Sequence, residues 1–182
     1  MEPASQGGDF FDVDEEFIAA VEREIGPEAA EAARRSRQLA RNPRALTAAE
    51  RAVLRESVDP ILRDLRSSGA IVPEVVEEAH DDAEPERIAF WIQPPGSGEA
   101  RGVGSQGIYV QVDVSAPERL ANLADQIQEW EVEELAAAAR PATWPQCPRH
   151  PNTHPLAPEA RGDRAEWCCP RTGQVIGAIG AL

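Results

Sequence analysis

All three cysteines of this chain, and two of its three histidines, fall between Trp144 and Gly173. No other stretch restricts the fold as much. It reads Trp144-Pro145-Gln146-Cys147-Pro148-Arg149-His150-Pro151-Asn152-Thr153-His154, then twelve residues, then Trp167-Cys168-Cys169-Pro170-Arg171-Thr172-Gly173. Cys147 and Cys169 each open a Cys-Pro-Arg triplet, and a tryptophan stands shortly before each. Two tight turns of this kind, set facing each other, can present side chains to one metal ion.

Structural zinc sites fill all four positions of a tetrahedron with thiolates and imidazoles. Cys147, His150, His154 and Cys169 supply a Cys2His2 set. The two-residue spacing lets one turn carry both Cys147 and His150, and Pro148 presets the backbone of that turn. His150 and His154 are four apart, as on a helix, but Pro151 and Pro155 each follow a histidine. A residue before proline is pushed out of the helical region. The histidines are therefore expected on a looped or extended segment, unlike the helical pair of a zinc protease. Cys168 and Cys169 adjoin on a predicted strand, Ala165 to Cys169, where neighbours face opposite sides. Cys169 is the expected ligand, because it precedes a proline and matches Cys147 in context. Cys168 is expected to point into apolar packing, as free cysteine usually does.

From Arg140 to Leu182 the large apolar residues are few: Trp144, Leu156, Trp167, Val175, Ile176, Ile179 and Leu182. Small folds of that size usually need a metal or disulfides. A disulfide is the rival to a metal, but the odd cysteine count argues against it. A structural zinc contributes about 10–16 kcal/mol of apparent binding free energy to a module of this kind.

On these residues the last forty or so positions resemble a zinc ribbon, a family of small β-hairpin modules held by two knuckles. The second knuckle departs from the family pattern: it has Cys169 alone, with Thr172 where a second ligand would stand, and His154 takes the missing place. The resemblance implies a structural metal and a role in recognition or scaffolding; it implies no activity.

The chain has 182 residues and a net charge of −14, and its basic residues are all arginine. With the abundant alanine and proline, this composition points to a GC-rich genome. From Arg140 onward five arginines oppose three acids, giving +2, so the rest of the chain carries −16. A body that acidic repels nucleic acid and attracts basic partners. No basic or apolar signal segment opens the chain, and no run approaches the ~20 apolar residues of a membrane span. A cytoplasmic, reducing setting is expected, in which cysteines bind metals more often than they pair.

The fold class expected is α+β. Residues 1–11 read as a flexible leader and 12–69 as helical. Residues 70–139 read as an antiparallel hairpin covered by a long helix, and 140–182 as a zinc-ribbon-like hairpin module. Asp12-x-x-Glu15 caps a helix bearing Val13, Phe17, Ile18, Val21 and Ile25. A second helix runs from Pro27 to about Leu39, and Asn42-Pro43 breaks it. Thr47-x-x-Glu50 is another capping box, before Val53, Leu54, Val58, Ile61, Leu62 and Leu65 at helical spacing. Pro60 should kink or split that helix. Nine arginines between Arg34 and Arg66 read as a solvated helical face pairing with acids. Residues 70–86 read as an acidic connection. Its Glu77-Glu78-Ala79-His80-Asp81-Asp82 run lacks the spacing of a cation loop.

Arg87 to Gln93 and Gly107 to Val114 alternate as two strands. Between them Gly102-x-Gly104-x-x-Gly107 matches the dinucleotide string, but it runs into a strand where that motif needs a helix. Ser115-x-x-Glu118, with Pro117, opens a helix to about Ala139. Leu120, Leu123, Ala124, Ile127, Trp130 and Leu135 form its stripe, and Asp125, Glu129, Glu131, Glu133 and Glu134 its acidic outer face. A final hairpin is expected from Ala165–Cys169 and Gln174–Ile179.

The function expected is that of a non-enzymatic, zinc-stabilised interaction or adaptor protein acting through an acidic surface. Its partner is a protein, plausibly basic, and nucleic acid is disfavoured. Two other classes compete. An immunity or antitoxin-like inhibitor of a basic nuclease fits the charge. A zinc hydrolase would need an open metal position and a general base such as Glu159 or Glu166; nothing in the spacing favours it. A Cys168–His nucleophile is weaker still, because a reactive thiol needs an electropositive, accessible setting.

Overall fold

Thr47 opens the first long helix, α1 (Ala48–Ser68), with a reciprocal cap. Its hydroxyl accepts the Glu50 N–H, and the Glu50 carboxylate accepts the Thr47 N–H. The computed structural model describes residues 19–20, 23–31, 44–79, 86–97 and 104–182. The chain divides into two compact units, Met1–Arg44 and Ala45–Leu182. In the first, 19–20, 23–24 and 27–31 are helical, and Gly26 stands between them with φ 123°. The rest of the two helices expected there lies outside the described residues, as do the 1–11 leader and Arg34, Arg35, Arg37 and Arg41.

In the second unit α1 runs without a break through Pro60. The expected split does not occur. Pro60 leaves the Glu56 carbonyl without its helical donor, but Glu56 is exposed and water can serve it. On the other face Leu54, Val58, Ile61 and Leu65 are buried on both sides of the proline and anchor the helix to the core. Gly69 closes the helix at φ 67°, and the Ala70 N–H returns to the Leu65 carbonyl, a C-cap that glycine favours. The second long helix, α2 (Ala116–Ala137), begins with the same kind of cap, made by Ser115 and Glu118.

The first sheet is antiparallel. Its strands are β1 (Glu74–Val76), β2 (Arg87–Gln93) and β3 (Gln106–Gln111), in the order β1-β2-β3. Phe90 pairs with Ile108 and Ile88 with Val110, so the predicted alternation puts Ile88, Phe90, Ile92, Ile108 and Val110 on one buried face. The third strand, β1, comes from the stretch expected to be a connection. β3 ends at Gln111, sooner than expected, and Val112 is left exposed. On the outer edge of β3 the backbone groups of Tyr109 are taken by Gln126 of α2, whose amide accepts the Tyr109 N–H and donates to the Tyr109 carbonyl, both at 3.0 Å. Edge groups satisfied in this way cannot template another strand.

The second sheet is β4 (Ala157–Arg161), β5 (Arg164–Cys168) and β6 (Val175–Ala178), antiparallel in that order. The expected C-terminal hairpin is β5–β6. β4 is an addition, turned into β5 at Gly162-Asp163 with Gly162 at φ 63°. Helix α2 packs against α1, β3, β4 and β5. One core results, running from Leu46 through Leu54, Phe90, Ile108, Ile127 and Trp130 to Trp144, Cys147, Leu156, Trp167, Cys169 and Ile179.

Buried polar groups tie the layers together. Asp64 of α1 is 0 % exposed and accepts three donors: the Trp167 indole at 2.8 Å, the Gly180 N–H at 2.7 Å and the Leu182 N–H at 2.9 Å. On the outer face of α2, Asp125, Glu129 and Glu133 are exposed as expected. Glu131 is not: it is 0 % exposed. Among the described residues three arginines of the basic stretch have partners, Arg51 among them through the Leu46 carbonyl. Arg55 pairs with Glu77 at 2.8 Å and Arg63 donates to the Gly180 carbonyl at 3.0 Å, while Arg66 sits in the last turn of α1, where the helix dipole favours a cation. No helix among the described residues is long and apolar enough to cross a membrane.

Candidate metal centre

The first turn is built as the proline pattern implies. The His150 N–H returns to the Cys147 carbonyl at 3.2 Å, and the Thr153 N–H and hydroxyl both donate to the His150 carbonyl. Asn152 takes φ 59°, a left-handed value asparagine tolerates, and its side-chain oxygen accepts from Gln146 at 2.8 Å. The chain then doubles back: the Leu156 N–H donates to the Pro145 carbonyl at 2.8 Å. Gln128 of α2 fastens both limbs, donating to the Trp144 carbonyl at 2.8 Å and the Leu156 carbonyl at 2.7 Å. This puts His154 beside Cys147 without any helix between the histidines.

The second turn follows β5. The Thr172 and Gly173 N–H groups return to the Cys169 carbonyl at 3.2 and 2.8 Å, with Gly173 at φ 66°. Trp144 and Trp167, the two tryptophans ahead of the turns, meet edge to face with ring centres 5.5 Å apart. That contact is in the range favoured by aromatic quadrupoles.

Cys147, His150, His154 and Cys169 each offer one ligand atom, and these atoms all lie within 4.8 Å of one another. The His150 Nδ1 is 3.5 Å from the Cys147 sulfur and 3.4 Å from the Cys169 sulfur; the His154 Nε2 is 3.9 Å from the Cys169 sulfur. Metal–sulfur and metal–nitrogen bonds of about 2.3 and 2.0 Å at tetrahedral angles put sulfur and nitrogen about 3.5 Å apart. The observed separations straddle that value, so the residues present fit a four-coordinate ion and could hold one.

The surroundings prepare two of the donors. His154 Nδ1 lies 2.8 Å from the Pro155 carbonyl. A carbonyl only accepts, so Nδ1 carries the proton and Nε2 keeps its lone pair for the cluster. The Cys169 thiol is pushed down to about 6, first by the hydrogen bond from the Thr172 side chain, then, against the opposing effect of burial, by the backbone amides of Arg171 and Thr172 and the Cys147 thiol. Thr172, standing where a two-ligand knuckle would carry its second ligand, thus supports the sulfur already there. Both thiols are 0 % exposed, and both histidines are half-buried.

Cys168 lies outside the cluster, as the strand argument required. It is 0 % exposed and counts among the buried core residues, with the Glu159 carboxylate close by. Burial pushes its thiol up, and the Glu159 carboxylate adds to this. Glu159 in turn accepts two bonds from Arg161, at 3.0 and 2.8 Å. Glu159 and Glu166, the candidate bases, face each other in the β4–β5 register, and neither belongs to the cluster.

The other motifs have local explanations. Gly107 lies in β3, so the glycine string does run into a strand; Gly102 lies outside the described residues. Gly104, at φ 85°, sits so close to α2 that an added Cβ would come within 2.6 Å of the Glu134 carboxylate, and its carbonyl accepts the Trp130 indole at 2.8 Å. His80, Asp81 and Asp82 lie outside the described residues. Sequence reasoning missed Asp64, Gln128 and Thr172. A signal existed for the first two: Asp64 follows Ile61 by three, and Gln128 follows Ala124 by four, so each is a polar residue inside an apolar helical stripe.

No protein-family model matches this chain, and neither a curated protein nor a solved structure matches it.

Proposed function

We propose that the protein is a non-enzymatic interaction protein whose fold is held by a structural zinc ion on Cys147, His150, His154 and Cys169. The observation that carries this is the convergence of four donor atoms, one from each residue, within 4.8 Å. Two sulfurs and two imidazole nitrogens suit zinc in composition and geometry. With all four positions filled from the chain, no position is open for a substrate or a reactive water. Such a site stabilises, and the zinc-ribbon resemblance carries the same implication.

The partner is a basic protein. Asp125, Glu129 and Glu133 form an exposed ladder on α2 with no ion pair among the described residues. Like charges four apart cost a helix a few tenths of a kcal/mol each, and a cationic partner would relieve that repulsion. A basic nuclease-type target, neutralised by binding, is one form such a partner takes. The reduced thiols suit a cytoplasmic setting.

The test is the metal content of the purified native protein and four variants. About one zinc per chain is expected, lost in Cys147→Ser, His154→Ala and Cys169→Ser and kept in Cys168→Ser. Zinc retained in His154→Ala would mean three protein ligands and an open position, and would favour a hydrolase. Absence of metal from the native protein would end the proposal.

A further inference from the structure

The segment that leaves α1 is pinned by three side chains from α2 and the residues after it. The Trp144 indole donates to the Ser68 hydroxyl, the Arg140 guanidinium to the Gly69 carbonyl, and the Ile71 N–H to the Glu131 carboxyl, each at 2.8 Å. Indole and guanidinium do not titrate in the ordinary range. Glu131 is the ionisable member of the set. It is 0 % exposed, and its second oxygen, Oε2, is buried with no hydrogen-bond partner. A carboxylate there would spread a full charge over two oxygens with one donor between them. A neutral carboxylic acid keeps the Ile71 bond and avoids the cost of burying charge.

We propose that Glu131 is a proton-operated latch: protonated, it holds Ala70–Val72 against α2; ionised, it draws water to Oε2 and loosens that segment.

Gly69, Ala70, Ile71 and Val72 bring no titratable side chain to the contact. The charged groups acting on Glu131 are Arg140, which favours the ionised form, and Glu134, which opposes it. No titratable side chain of α1 or of the sheets adds to these among the described residues. Burial is the largest influence and pushes the carboxyl up to about 7. The Ile71 bond and Arg140 pull the other way without overcoming it. Above neutrality the closed arrangement therefore bears a burial cost that the Ile71 bond does not offset, and the balance shifts towards the open one. Opening frees Ile71 and Val72, both packed on the core, and the chain that leads directly into β1. The neighbouring pins keep Ser68 and Gly69 in place, so the movement starts at Ala70.

Two measurements on the full chain test this. The carboxyl carbon of Glu131 is followed by NMR from about pH 3 to pH 9, and Ile71 amide exchange is compared at about pH 6 and pH 8 in wild type and Glu131→Gln. The expected carboxyl titration lies near 7. Ile71 protection, corrected for the intrinsic pH dependence of exchange, should fall about tenfold or more in wild type and stay level in Glu131→Gln, whose amide oxygen still accepts. A titration in the ordinary glutamate range would overturn the latch, and that measurement needs no variant to fold. The same pH dependence of exchange in both proteins would overturn it as well.

Discussion

The Trp167 indole donates to the Asp64 carboxylate at 2.8 Å across 103 residues of sequence, and both side chains are 0 % exposed. The Gly180 and Leu182 amides complete the shell around the same carboxylate. Polar oxygens so far from water persist only with donors in place. This carboxylate therefore fixes where the second sheet and the chain after it sit on α1.

Asp64→Ala removes one acceptor and strands three donors, two of them backbone amides. A loss of roughly 3–5 kcal/mol is expected in urea unfolding. Asp64→Asn keeps an acceptor and should lose less. A loss below about 1 kcal/mol in the alanine variant would mean the donors find other partners.

Metal removal should destabilise the whole Ala45–Leu182 unit, since Cys147 and Cys169 belong to the same core as Leu54, Phe90 and Trp130. A strong chelator should lower the melting temperature by more than about 10 °C, in a single transition that added zinc reverses. A separate early transition, with the main one unmoved, would show that the centre serves the second sheet alone.

Glu131 gives stability a slope against pH. Its carboxyl is raised from the ordinary 4.5 to about 7 in the folded chain, so between those values the folded state holds more protons than the unfolded. Stability from this group is full below about pH 4.5, is lost as pH rises towards 7, and stays lost above. Glu131→Gln should therefore be more stable than wild type at about pH 8, by roughly 1–3 kcal/mol, and should show no such gain at about pH 4. Denaturant melts at the two pH values measure the difference.

Gly180 has φ 94°, and an added Cβ would lie 2.9 Å from the Pro60 Cβ and 3.2 Å from the Pro60 Cα. Gly180→Ala meets both a strained backbone and a rigid ring. A loss of roughly 2–3 kcal/mol is expected. Gly162→Ala, at φ 63° with nothing within 4 Å, carries the backbone strain alone and should cost about 1 kcal/mol. Equal losses in the two variants would show that the Pro60 contact yields easily.

The four-residue cluster was legible because cysteine and histidine are scarce in this chain and the prolines around them dictate turns. Both long helices announced themselves through capping boxes, at Thr47 and Ser115, and the β2–β3 pair through alternation. β1 and β4 were not legible. Each is short, β4 carries Pro158, Glu159 and Arg161 within its length, and β1 depends on pairing with a strand well beyond it. At Pro60 the expected split fails because the local steric rule takes no account of the packing on both sides of it. Glu131 was misread because a glutamate among glutamates looks solvated, although it follows Ala124 by seven and precedes Leu135 by four, on the buried stripe. Its partner, the Ile71 amide, is a backbone group with no signature in the side-chain sequence.

The partners of Asp64 have a consequence for timing. Its donors come from residues 167, 180 and 182, so a growing chain that has not reached Trp167 offers this carboxylate none of them. Synthesis proceeds at about 5–20 residues per second. For the seconds between the emergence of α1 and the arrival of β5, Asp64 is without its native donors. A chain stopped before Trp167 therefore lacks every one of these donors to Asp64.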